Sequence, residues 1–149
     1  MKELNLTEIK NFQLKILEEV ASFCEKNNIR YSLYFGTLLG AVRHQGYIPW
    51  DDDIDIMMPR PDYNRFIKSF ETTNNNLRIK SLLNDDNYPY TFAKVENIKT
   101  KLIEYADITY DIGVNIDIFP IDGVPEEQNI FDKFFKSLIL QRDFLLIKT

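Results

Sequence analysis

The chain is poor in several things that would each name a function class. It has a single cysteine, Cys24, and a single histidine among 149 residues. One thiol cannot close an intramolecular disulfide, and no C-x-x-C or His/Cys cluster suggests zinc, so a reducing compartment is the expected setting. Positive charge is not in excess: 18 Lys and Arg stand against 23 Asp and Glu, for a formal net charge of -5. That balance excludes the basic footprint of a nonspecific nucleic-acid binder, so an anionic substrate must be met by local donors or by a metal. The N-terminus reads Met1-Lys2-Glu3-Leu4-Asn5, and no apolar run approaches the ~20 residues of a membrane span. The expectation is a cytoplasmic chain, with docking to the inner membrane surface still compatible. Apolar residues at 44% and charged residues at 28% argue against disorder and fibrous repeats.

What is present reads as about one domain of alternating helix and strand. Ile9, Phe12, Ile16, Leu17, Val20, Phe23 and Cys24 recur at helical spacing, with Thr7 placed as N-cap and Asn27-Asn28 as the stop. Ile29 to Phe35 reads as a strand, Gly36-Thr37 as a turn, and Leu38 to Arg43 as a short helix. His44 to Asp52 is a loop, after which Asp53-Ile54-Asp55-Ile56-Met57 alternates like a half-buried strand. Pro61 suits helix position N1 ahead of Tyr63, Phe66, Ile67 and Phe70, and Thr72 to Asn76 is a polar linker. Leu77 to Leu83, Thr91 to Glu96, Leu102 to Tyr105 and Val114 to Phe119 read as further strands. A last helix begins near Glu126 and stays apolar through Leu145-Leu146-Ile147 without a capping glycine, from which a continuation beyond Thr149 is expected.

The densest chemical signal is Asp51-Asp52-Asp53-Ile54-Asp55. Strand side chains two apart share a face at roughly 6–7 Å, so Asp53 and Asp55 can converge on one cation while Ile54 and Ile56 face the core. A charged turn capped by Asp51 or Asp52 accounts equally well for those two residues. Burying Asp53 and Asp55 beside isoleucines without a counter-charge is expensive. An EF-hand is excluded, because counting from Asp51 puts Ile56 where the glycine belongs and Asp62 where the bidentate Glu belongs. Asp117, in Asn115-Ile116-Asp117-Ile118-Phe119, is flanked by apolar residues in the same manner. Three strand carboxylates on one sheet make a hard-oxygen site for Mg2+ or Mn2+.

Gly36-Thr37 can offer backbone N–H groups and a hydroxyl to a phosphate. Arg43 and His44 can also contact a donor phosphate, or simply cap the end of their helix. Lys94 can neutralise a diphosphate, although an exposed lysine on a strand face is the commoner case. Tyr34, Tyr47 and Trp50 can stack on a planar ring or cage a cation, but more often such aromatics anchor a loop. His44 ranks below Asp117 as a general base, since no orienting partner is in view.

The order Gly-Thr, then Asp-x-Asp on a strand, then a third strand Asp resembles the layout of nucleotidyltransferases. The run from Tyr34-Phe35-Gly36-Thr37-Leu38-Leu39-Gly40 through Trp50-Asp51-Asp52-Asp53-Ile54-Asp55-Ile56 resembles the LicD family of phosphotransferases. The likeness continues in Met58-Pro59-Arg60-Pro61-Asp62-Tyr63 and in Asp117-Ile118-Phe119-Pro120-Ile121-Asp122-Gly123. It departs at Lys94 to Leu102, where the family more usually has an Asp-Thr-x-Thr character, and in length.

The resemblance implies an α+β fold with a nucleotidyltransferase-like mixed sheet flanked by helices, residues 1–149 being the N-terminal portion of a longer protein. It also implies transfer of a phosphorylated alcohol, typically phosphocholine from CDP-choline, to a sugar hydroxyl of lipopolysaccharide, teichoic acid or capsule. Two Mg2+ or Mn2+ ions at Asp53, Asp55 and Asp117 would bridge the donor pyrophosphate, with Asp117 doubling as base. Gly36, Thr37, Arg43, His44 and Lys94 would meet the donor. The partners are thus a CDP-alcohol and a glycan, not nucleic acid. Rival readings are a nucleotidyltransferase that leaves the nucleotide on its product, an Asp-x-Asp glycosyltransferase, and a noncatalytic glycan-binding module.

Overall fold

The computed structural model describes residues 3–70, 74–102 and 110–146, with side chains given up to residue 139. Of the strand expected at 102–105 only Leu102 is among them, and it forms a single bridge with Ile112. Most of the expected linker's start and the chain's last residues, Ile147 to Thr149, lie outside the described residues.

Helix α1 spans Leu6–Lys26. Its N-cap is Asn5 and not Thr7, which falls inside the first turn. The Glu8 N–H donates to Asn5 Oδ1 at 3.0 Å, and the Asn5 N–H donates to Glu8 Oε2 at 3.0 Å. This reciprocal pair satisfies two donors that the helix leaves open. The helix stops at Asn27-Asn28 as the sequence suggests, Asn28 taking a left-handed φ of 51° that asparagine tolerates better than most residues.

Strand β1 is only Ser32–Leu33, shorter than the expected Ile29 to Phe35. Then follow α2 (Phe35–His44), β2 (Asp55–Pro59), α3 (Arg60–Ser69), β3 (Leu77–Lys80), β4 (Ala93–Asn97), β5 (Asn115–Ile121) and α4 (Gln128–Leu146). β3 ends early because the Ser81 N–H donates to Asn84 Oδ1 at 2.8 Å, turning the chain before Leu83. Helix α3 starts at Arg60, one residue before the expected position, leaving Pro61 within its first turn, where a missing N–H costs nothing.

The five strands form one sheet in the order β1-β2-β5-β4-β3. Only β2 and β5 run parallel; the other neighbours are antiparallel. The fold is therefore α+β with a mixed sheet, as expected. Period-two alternation gives the sheet two unlike faces. Ile54, Ile56 and Met58, with Ile116, Ile118, Ala93 and Val95, form the apolar face, and all are buried. They pack against Ile16, Val20 and Cys24 of α1 and Tyr63, Phe66 and Ile67 of α3. Each such side chain contributes roughly 1.5–3 kcal/mol on burial, so this layer fixes the register of the opposite, polar face. By contrast, α4 keeps Phe134, Phe135 and Leu138 exposed among the described residues. No helix among the described residues is long and apolar enough to cross a membrane.

Candidate active site

The polar face is organised by register. Asp55 lies opposite Asp117 across the parallel β2/β5 pair, Asp117 opposite Lys94 across β5/β4, and Lys94 opposite Lys80 across β4/β3. Adjacent strands are about 4.8 Å apart, so one row of the sheet reads acid, acid, base, base. The next row on the same face reads Asn115, Glu96, Arg78.

Asp53 precedes β2 by two residues and reaches the same side. Its loop is strapped to α1 from below. Lys10 Nζ donates to the carbonyls of Ile48 and Pro49 at 3.3 and 3.1 Å, and buried Gln13 donates from Nε2 to the Asp52 carbonyl at 2.8 Å. Tyr47 completes the strap by donating its hydroxyl to Gln13 Oε1 at 2.9 Å, so it anchors the loop. The result is a gathered set of acids: single carboxylate oxygens of Asp51, Asp52 and Asp53 lie within 4.8 Å of one another.

That gathering has an electrostatic signature. Loss of solvation, the Asp51 carboxylate beside it, and then Asp52 and Asp117 push the Asp53 carboxyl up to about 6. Burial, then Asp53, Asp117 and Asp51, push the Asp55 carboxyl up to about 7, with Lys94 pulling the other way. Burial first, and then mutual repulsion, hold these carboxyls so far above their ordinary range. Asp55 is 7% exposed, and no ion pair among the described residues neutralises Asp53 or Asp55. A hard-oxygen donor set with this much uncompensated charge fits a divalent cation such as Mg2+ or Mn2+.

Gly36 and Thr37, expected as a turn ahead of the helix, instead lie in the first turn of α2, which starts at Phe35 and supports the same spot. Thr37 Oγ1 accepts the Asp55 N–H at 2.8 Å, and the Tyr34 N–H donates to the Asp55 carbonyl at 2.9 Å, so both sides of the Asp55 backbone are held. The strained residue of the turn is Phe35, at φ 40°, and not Gly36. Phe35 is 59% exposed and meets Phe119 edge to face at 5.6 Å. Gly36 has a different role: a Cβ there would sit 2.5 Å from Asp51 Oδ2. Since that oxygen is the end of a movable side chain, Gly36→Ala is expected to fold normally but to push Asp51 out of the cluster. Divalent-ion titration should then show weaker binding, at least about tenfold, with an unchanged circular dichroism spectrum; unaltered affinity would refute the role given to Gly36.

Of the remaining expected site residues, Lys94 is not an exposed strand lysine. It is buried, and its Nζ donates to Asp117 Oδ1 at 2.7 Å and to Asn115 Oδ1 at 3.1 Å. Arg43 and His44 are exposed in the last turn of α2, where Arg43 Nε donates to His44 Nδ1 at 3.3 Å. Trp50 is 76% exposed and meets the His44 ring edge to face at 6.3 Å. Tyr34 packs on Phe35 and Phe119.

Sequence reasoning passed over Asn115 and Glu96. The fully buried Glu96 accepts from Arg78 Nε at 2.8 Å and from the Gly113 N–H at 2.6 Å, tying the chain after the 100s back to β4. A side chain at Gly113 would run into the Asn97 backbone, its Cβ only 2.9 Å from the carbonyl carbon. Asp122, in the same motif as Asp117, does separate work: it accepts a two-pronged ion pair from Arg60 at 2.6 and 2.5 Å.

A mixed sheet that carries two strand carboxylates in register across a parallel pair, beside a strand-to-helix turn, is the arrangement of a nucleotidyltransferase-type domain. Residues 28–144 match the family described as LicD/FKTN/FKRP, nucleotidyltransferase domain. The chain belongs to that family. It is 38% identical over 140 residues to the lipopolysaccharide cholinephosphotransferase LicD of Haemophilus influenzae, a match covering 92% of this chain and 52% of that protein. The chain thus spans about half the length of this relative. Shorter matches join it to uncharacterized proteins of Rickettsia typhi, at 44% identity over 42% of this chain and 20% of that protein, and Rickettsia prowazekii, at 50% over 32% and 18%.

Proposed function

We propose that this chain is a phosphotransferase domain that, with Mg2+ or Mn2+, moves phosphocholine from CDP-choline to a sugar hydroxyl of a cell-surface glycan such as lipopolysaccharide. The observation that carries the chemistry is the placement of Asp55 beside Asp117 in one row, with Asp53 on the same side and the proton affinities of Asp53 and Asp55 raised. The name of the Haemophilus relative supports the transferred alcohol and the acceptor.

Asp53 and Asp55 would hold the cation, which supplies charge neutralisation for the donor pyrophosphate. The chain's own residues do the rest. Thr37 fixes the Asp55 backbone through its accepted N–H and keeps its hydroxyl proton for a phosphate oxygen. Gly36 leaves room for Asp51. Asp117 is the base that accepts the sugar hydroxyl's proton, and Lys94 holds its carboxylate in place.

The test is a panel of CDP-alcohols offered to the protein with Mg2+ and glycan acceptors. Release of CMP with CDP-choline, coupled to phosphocholine on the glycan, is the expected result. Release of pyrophosphate from a nucleoside triphosphate, with the nucleotide left on the product, would replace this reading by nucleotidyl transfer.

A further inference from the structure

Lys94 stands beside the acids before any ion arrives. It lies within β4 and is 5% exposed. Its Nζ is 2.7 Å from Asp117 Oδ1, 3.1 Å from Asn115 Oδ1, and 4.9 and 5.3 Å from the ring centroids of Tyr90 and Phe92. Among the described residues, two oxygen acceptors and two aromatic rings thus lie about this ammonium. Both aromatic contacts favour a desolvated cation, and withdrawing the ammonium from Asp117 would break a buried ion pair. Strand register places it, since Lys94 and Asp117 are direct partners in the antiparallel β4/β5 ladder.

An ion approaching Asp117 must compete with this resident charge. Among the described residues no ion pair involves Asp53 or Asp55.

We propose that Lys94 is the built-in second cation of the site: it occupies the Asp117 carboxylate, so the protein takes one divalent ion, at Asp53 and Asp55, instead of two. This rests on the divalent-ion reading above and narrows it. Lys94 is thereby a positioning residue that acts through Asp117 and sets the ion stoichiometry.

The test is Mn2+ uptake by the whole chain, measured by equilibrium dialysis and by loss of the free-ion paramagnetic resonance signal. The wild type should take one ion, Lys94→Arg one, and Lys94→Gln two, the second at the released Asp117. Asp117→Asn should leave stoichiometry and affinity little changed, whereas Asp55→Asn should weaken binding at least about tenfold. Should Lys94→Gln not fold, the comparison of Asp117→Asn with Asp55→Asn decides alone. Two ions in the wild type, one ion in a folded Lys94→Gln, or equal damage from Asp117→Asn and Asp55→Asn would each overturn the proposal while leaving the metal reading intact. No Mn2+ uptake by any form would overturn both.

Discussion

Asp55→Asn should lose on the order of a thousandfold in transfer rate while the metal-free protein becomes more stable. The two effects share one cause. Asp55 is nearly buried, faces Asp117 across the parallel pair and has Asp53 on its own side, and these surroundings raise its carboxyl to about 7. Above neutral pH the folded metal-free protein must carry that carboxylate ionised, which opposes folding. An amide of the same shape removes the charge and the repulsion, for an expected gain of about 1–3 kcal/mol at alkaline pH. The backbone bonds from the Thr37 and Tyr34 side are untouched, so the strand should keep its place. Urea unfolding of metal-free wild type and variant, paired with CMP release under saturating Mg2+, checks both halves. A variant that is less stable and still active would show that Asp55 supports the fold and not the reaction. Asp53→Asn should behave alike in activity.

How much of this was legible beforehand follows the physics of each element. Strict alternation in Asp53-Ile54-Asp55-Ile56 and Asn115-Ile116-Asp117-Ile118 fixes which side chains face the core, because a slip of one residue would bury the acids and expose the isoleucines. The faces of those two strands were therefore readable, although β2 begins only at Asp55, two residues after the alternation does. Which strand lies next to which is a nonlocal fact, and so the pairing of Asp117 with both Asp55 and Lys94 was not. Lys94 sits in Phe92-Ala93-Lys94-Val95-Glu96, where alternation places Lys94 and Glu96 together on one face; burial of that face depends on chain far away, including Gly113, whose N–H reaches Glu96. The glycine at 36 was readable as a close approach, but the approaching group is a side chain fifteen positions later in a loop strapped to α1. Thr7 looked like the cap because Ser and Thr are common there, yet the Asn5–Glu8 spacing also satisfies a capping box and lies two residues nearer the terminus.

The metal-free protein should be most stable in mild acid and should lose stability as pH rises toward neutrality, with Mg2+ reversing the loss. An ordinary unfolded Asp titrates near 3.9, whereas the folded protein holds Asp53 at about 6 and Asp55 at about 7. Between those values the native state binds more protons than the unfolded one, so stability falls with rising pH through that window. For buried Asp55 the loss between about pH 5 and pH 8 is on the order of 2 kcal/mol. In strong acid the trend turns over. The partners of Asp62, Asp85 and Asp122, namely Arg30, Tyr110 and Arg60, hold those carboxyls below the ordinary range. Their contribution is present at neutral pH and is lost as pH falls through their lowered values. A divalent ion binds only the ionised carboxylates, so it displaces protons and stabilises more as pH rises. The melting temperature difference between Mg2+-loaded and chelator-treated protein should thus be larger at about pH 8 than at about pH 5.5. Differential scanning calorimetry at the two pH values measures it. A difference independent of pH would mean that Asp53 and Asp55 are not the groups that receive the ion.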